Sequence, residues 1–147
     1  MPLLQGKFKP KNPGKYRGDP SNIYYRSSWE ARCMLKFDSE SNVLWWSSEE
    51  IIVPYRSPVD GKLHRYFPDF VIRVKNAQGI EETLMIEVKP AKETKEPIKK
   101  SKVTKQYLNE VFTWGKNKAK WKAAEEYCVN RKWRFMLLTE KELFGKI

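Results

Sequence analysis

Asp69, Glu87 and Lys89 are the residues of this chain whose types and spacing could do chemistry. They sit in two short strings, Tyr66-Phe67-Pro68-Asp69-Phe70-Val71-Ile72 and Leu84-Met85-Ile86-Glu87-Val88-Lys89, joined by a polar stretch over 76–82. Each string reads as one strand. Side chains alternate across a strand, so Glu87 and Lys89 leave one face, and a hairpin brings Asp69 to that face too. Two carboxylates and an ammonium gathered there would be costly in an ordinary core. They make sense around a divalent cation, which takes oxygen ligands, polarises a phosphodiester and lowers the pKa of its bound water. Asp69 and Glu87 are the expected ligands, with the backbone carbonyl of Val88 as a third oxygen. Lys89 would hold or help deprotonate the attacking water and offset charge building on the phosphate. Magnesium is the expected ion, and manganese suits the same oxygens. The bland reading of Glu87 and Lys89 is an exposed strand face carrying a harmless pair of opposite charges.

The elements that must position these groups follow from local signals. Ser27 is a good helix N-cap and Glu30 stands three residues on, the capping-box spacing; Trp29, Cys33 and Phe37 then step along one face. Glu30 has two readings. As part of a capping box it needs no catalytic role; projecting toward the sheet, it is a third carboxylate for a metal-bound water or a second metal. Residues 39–48 are expected to form a loop around Val43-Leu44-Trp45-Trp46. Strands are expected over 50–55 and 63–74, with Asp60-Gly61 turning them into a hairpin. Pro90 and Pro97 keep the next stretch non-helical. From about residue 102 an amphipathic stripe, Tyr107, Val111, Trp114, Trp121, Ala124 and Cys128, predicts a long helix, with a break left open at Gly115-Lys116-Asn117. A last strand over 133–138 and a short helix capped by Thr139 and Glu142 complete the order α-β-β-β-α-β-α. The long helix lets the final strand cross over and pair in parallel. The expected fold class is α/β, a small mixed sheet flanked by helices.

Composition narrows the partner. The chain has 147 residues, one domain's worth, and 29 Lys and Arg against 18 Asp and Glu give a net charge of +11. Such an excess predicts a polyanion, most simply nucleic acid. A single histidine, His64, argues against His-metal and His-nucleophile chemistry. Two distant cysteines, Cys33 and Cys128, argue against zinc and disulfide frameworks and for a reducing compartment. No stretch is apolar for long enough to span a membrane, and residues 1–5 run straight into Lys and Pro, so neither a membrane span nor a secretory leader is expected. Residues 1–22, rich in Pro, Gly and Lys, form a basic extended arm ahead of a 23–147 domain, and are ordered by packing, by DNA, or not at all. The candidate DNA contacts are Arg26, Arg65, Lys92, Lys95, Lys99, Lys100 and Lys102.

The element order, with Pro68-Asp69 and Glu87-Val88-Lys89, resembles the PD-(D/E)xK nuclease superfamily. That resemblance implies a restriction-endonuclease-like core and magnesium-dependent cleavage of DNA by Asp69, Glu87 and Lys89. It matches Glu30 to the first-helix glutamate of part of the superfamily, including transposase A-subunit nucleases and junction resolvases. Lys15-Tyr16-Arg17-Gly18-Asp19-Pro20, Tyr25-Arg26-Ser27-Ser28-Trp29-Glu30, Arg65-Tyr66-Phe67-Pro68-Asp69, Glu87-Val88-Lys89-Pro90 and Lys120-Trp121-Lys122-Ala123-Ala124 are similar to the head completion nucleases of T-even-type tailed phages. This implies an endonuclease acting on double-stranded or branched DNA after packaging, with head or portal proteins as partners, in the infected host cytoplasm or the virion head. Two rivals stand beside it, a head-completion or DNA-end-binding protein that needs no cleavage and a transposase or junction-resolvase nuclease. One active site makes a double-strand break only through two chains, as in a homodimer, or two visits.

Overall fold

The computed structural model describes residues 3–99 and 101–144. The element order is β1 (Leu3–Lys7), a 3-10 turn (Pro13–Lys15), β2 (Tyr24–Ser27), α1 (Ser28–Ser39), β3 (Val43–Ser48), β4 (Val53–Arg56), β5 (Leu63–Tyr66), β6 (Phe70–Lys75), β7 (Glu81–Val88), a 3-10 turn (Ala91–Thr94), α2 (Lys105–Arg131), β8 (Arg134–Leu138) and α3 (Glu140–Phe144). The four-stranded central sheet runs β3-β6-β7-β8; its first two pairings are antiparallel and β7–β8 is parallel. This is the mixed sheet with helices on its faces expected from the pattern, and the long α2 makes the crossover that a parallel pair requires.

Two expectations are corrected and one open alternative is settled. The expected loop over 39–48 contains β3, whose Val43 and Trp46 are buried and which pairs with β6. The strand expected over 63–74 is two strands in two sheets. β5 pairs with β4 as a separate hairpin around the Asp60-Gly61 turn, β6 joins the central sheet, and residues 67–69 carry the chain between them. Pro68 is buried at that corner; with no N–H it cannot continue a ladder. The break left open at Gly115-Lys116-Asn117 is absent, and α2 is one helix capped by Thr104, whose side chain accepts from the Tyr107 N–H. At the start of α3 the Glu142 carboxylate accepts from the Thr139 N–H and hydroxyl, and Thr139 Oγ1 accepts the Lys141 N–H.

Strand alternation divides the core. Phe70, Ile72, Leu84, Ile86 and Val88 pack toward α1 and β3, around Cys33, Met34, Phe37 and the fully buried Trp46. Val71 and Met85 pack the other way, against Trp121, Ala124 and Cys128 of α2 and Val53, Tyr55 and Tyr66 of the hairpin. Of the expected basic arm, residues 3–22 are tied in by packing: β1 pairs with β2, and Phe8 and Tyr16 meet Trp46 edge to face at 5.7 and 4.8 Å between centroids, while residues 1 and 2 lie outside the described residues.

Candidate active site

The site forms where the β6–β7 ladder ends. Its register pairs Phe70 with Ile86 and Ile72 with Leu84, so Val88 would next face Pro68. The Asp69 carboxylate takes over there: its Oδ2 accepts the Val88 N–H at 2.8 Å. The N–H and C=O of one strand residue point to the same edge, so the Val88 carbonyl leaves β7 on the Asp69 side. Asp69 shares its face with Val71, Met85 and Glu87 by alternation. Lys89 Nζ lies 3.7 Å from Glu87 Oε2. The first turn of α1 supplies Glu30. Ser27 Oγ accepts the Glu30 N–H at 3.1 Å, and Glu30 Oε1 accepts the Arg26 N–H at 3.4 Å. Glu30 therefore makes its cap and also lines the cleft with Asp69, Glu87, Val88 and Lys89.

That cleft encloses about 580 Å³. Glu87 is 7% exposed, while Asp69 keeps part of its surface open. Burial raises the pKa of Asp69 well above the ordinary carboxylate range, and the neighbouring Glu87 charge adds to it. Burial also raises Glu87, against the pull of the Lys89 ammonium and the Tyr66 hydrogen bond. Among the described residues, no group of three or more His, Cys, Asp and Glu side chains could by itself hold a metal ion. The available donors are a pair of carboxylates and a strand carbonyl, which suits an ion that uses one or two carboxylates and keeps several waters.

Of the expected DNA contacts, Arg26 and Arg65 line this cleft. Arg26 is engaged by Glu49 across the rim, and the Arg65 guanidinium lies 5.9 Å from the Phe67 ring centroid. Lys92 and Lys95 line an adjoining groove. Lys99 and Lys102 are exposed on the stretch leading to α2, and Lys100 lies outside the described residues. His64 is exposed and bonded to Asp60 at 2.8 Å, away from the cleft lining.

Three contributors escaped the sequence reading. The Tyr66 hydroxyl donates to Glu87 Oε1 at 2.8 Å and fixes that carboxylate. Glu49, at φ 55° in the left-handed region, is placed on the rim by its N–H to the Asp69 carbonyl. Lys120 of α2 reaches the cleft, its Nζ 5.7 Å from the Tyr66 ring centroid and 5.8 Å from that of Tyr55. Burial lowers the Lys120 pKa, against the pull of the Glu87 charge. A signal for Lys120 was present: it lies three residues after buried Asn117 and four before buried Ala124, so it interrupts the inward face of α2.

Two comparisons bear on this arrangement. Residues 40–140 match the TnsA-like endonuclease N-terminal family, a span holding Asp69, Glu87, Lys89 and Lys120 but not Glu30. The chain is 42% identical over 142 residues to the head completion nuclease of Enterobacteria phage T4, covering 94% of this chain and 92% of that protein.

Proposed function

The chain belongs to the TnsA-like endonuclease family and to the family of the phage T4 head completion nuclease, and from that premise we propose that it is a magnesium-dependent DNA endonuclease acting in phage head completion. One observation carries the reading: Asp69, Glu87 and Lys89, with Glu30 beside them, line a single cleft in a chain of net charge +11. Carboxylates repel phosphate, so a protein that only bound DNA would gain nothing by burying two of them there. A divalent ion resolves the conflict.

Asp69, Glu87 and the Val88 carbonyl would hold that ion. When bound, it supplies Lewis acidity toward the phosphodiester and a more acidic water. The rest of the work falls to this chain. The Tyr66 hydroxyl holds one Glu87 oxygen, leaving the other toward Lys89. Lys89 offers an ammonium beside the reacting phosphate, where it orients the incoming water and offsets growing negative charge. Arg26 and Arg65 at the rim hold flanking phosphates and fix the backbone across the carboxylates. Glu30, anchored by the α1 cap, accepts a hydrogen bond from water in the cleft. Manganese fits the same oxygen donors.

The test is nicking of supercoiled plasmid with magnesium by wild type, Asp69→Asn and Glu87→Gln. Each variant should lose about a thousandfold or more in rate, since each removes one of few charged ligands. Wild-type nicking by Asp69→Asn would sink the assignment. Lack of wild-type cleavage on linear, supercoiled and branched DNA would favour an end-binding role in head completion instead.

A further inference from the structure

A second groove adjoins the cleft, between the 92–98 stretch and the first half of α2. It encloses about 800 Å³, and Glu93 lines both spaces. We propose that this groove holds the base of an unpaired nucleotide of the DNA being cut, with Trp114 as stacking platform and Asn117 as the group that hydrogen-bonds its edge. The proposal rests on the reading of DNA as substrate and adds that the favoured DNA carries unpaired bases beside the cut.

Asn117 carries the argument. It is 6% exposed and lines the groove from the middle of α2. Its amide carries both a donor and an acceptor, and a base edge offers the complement of each.

Trp114 stands one turn earlier on the same helix. The edge-on contact with Trp121, 5.9 Å between centroids at 77°, steadies its indole, and the Lys118 ammonium lies 6.0 Å from the ring. The half-buried ring also lines the groove, as a stacking surface for a base must.

The charges fit a base better than a phosphate. Glu93 and Glu110 face the same space as Lys92 and Lys95. The carboxylates keep phosphate out of the interior and accept from exocyclic amino groups, while the exposed lysines reach phosphates on either side. An apolar peptide side chain would make no use of the Asn117 amide. A paired base cannot enter, because its edge is already used and its face is stacked, so the occupant must be unpaired.

Binding separates this claim from the nuclease reading. Fluorescein-labelled duplex with a short unpaired tail, at either end of the strand, is compared with blunt duplex of the same paired length by anisotropy in EDTA. Wild type should bind the tailed duplex about tenfold tighter, the effect of one stacked and hydrogen-bonded base. Asn117→Leu keeps the volume and favours the helix; it should erase most of that preference while blunt-duplex affinity and the thermal midpoint hold. Asn117→Ala checks that the leucine itself does not block the groove. Equal wild-type affinity for both duplexes, or a preference that survives both variants, overturns the proposal. Because the assay needs no cleavage, absent nicking with magnesium would strike the endonuclease reading and leave this result standing.

Discussion

The two faces of β7 part company at its last residues. Toward α1, Leu84, Ile86 and Val88 stay buried and apolar to the end of the strand. Toward α2, Met85 is equally buried, but the next residue on that face is Glu87 and the one after is Lys89. One backbone serves both. The α1 face ends on an aromatic nest, with Phe37 edge-on to Phe70 at 5.2 Å and Trp46 ringed by Phe8, Tyr16 and Phe37. The α2 face ends in two carboxylates whose ionised forms burial disfavours. The difference shows how the site persists. A close-packed layer behind the strand end holds it rigid, so unfavourable charge in front can be kept in place.

That division can be broken from either side. The largest effect should come from behind. Phe70→Ala removes a fully buried ring at the end of β6 and should cost about 3–5 kcal/mol, read as a lower urea midpoint. A loss under about 1 kcal/mol would mean that the aromatic layer does not hold the strand end. The charged face should respond in the opposite sense. Asp69 and Glu87 have folded-state pKa values raised above their unfolded ones. Their contribution to stability is full below about pH 4 and is lost as the pH climbs through the raised values. In metal-free protein, Asp69→Asn should therefore raise the thermal midpoint near neutral pH, with the gain vanishing at about pH 4. Magnesium should raise the wild-type midpoint more than that of the variant. A variant less stable than wild type across the whole range would show that the charge is not the burden described.

What the sequence disclosed follows the same line. Alternation put Glu87 opposite Val88, and the Pro68-Asp69 and Glu87-Val88-Lys89 strings sufficed to bring the carboxylates to one strand end. The Ser27 and Glu30 spacing announced the start of α1. The change of sheet at Pro68 stayed hidden, because only residues 67–69 part β5 from β6 and the whole run reads as one long strand; only the partners of each half separate them. β3 was hidden for a related reason. Trp45 and Trp46 lie between polar flanks over 39–42 and 47–50, so the local pattern resembled a loop, and the burial that makes β3 a strand comes from Phe8, Tyr16 and Phe37, all distant in sequence. Tyr66 joins the site through a contact between separate strands, which no local spacing encodes, whereas Lys120 left a trace as a charge on the inward face of α2.

Lys120 tests whether the front face depends on a cation that is not a neighbour in sequence. Lys120→Met keeps the packing on Tyr55 and Tyr66 and removes the charge that favours ionised Glu87. Nicking should fall roughly tenfold, less than the roughly hundredfold or more lost with a donor that touches the reacting oxygen. The acid limb of the pH–rate profile should also move upward, because Glu87 then ionises at higher pH. A uniform drop with an unchanged profile would indicate lost packing alone.

The smallest effect should come from the rim. Arg26 and Glu49 form an ion pair whose arginine side chain is 58% exposed, so breaking it should change stability by less than about 1 kcal/mol. The consequence for DNA is of a different kind. Glu49 competes with phosphate for Arg26 at the mouth of the cleft, and it stays within reach because its backbone is fixed at φ 55° and tied to the Asp69 carbonyl. Glu49→Gln frees the guanidinium without disturbing that backbone. Duplex affinity should rise a few-fold at low salt, and the log–log salt slope should steepen by about 0.9, the increment for one further neutralised phosphate. Arg26→Gln should remove both changes in the double variant. If Glu49→Gln leaves the slope where it was, Arg26 does not reach the DNA backbone, and the rim is held by Arg65 without it.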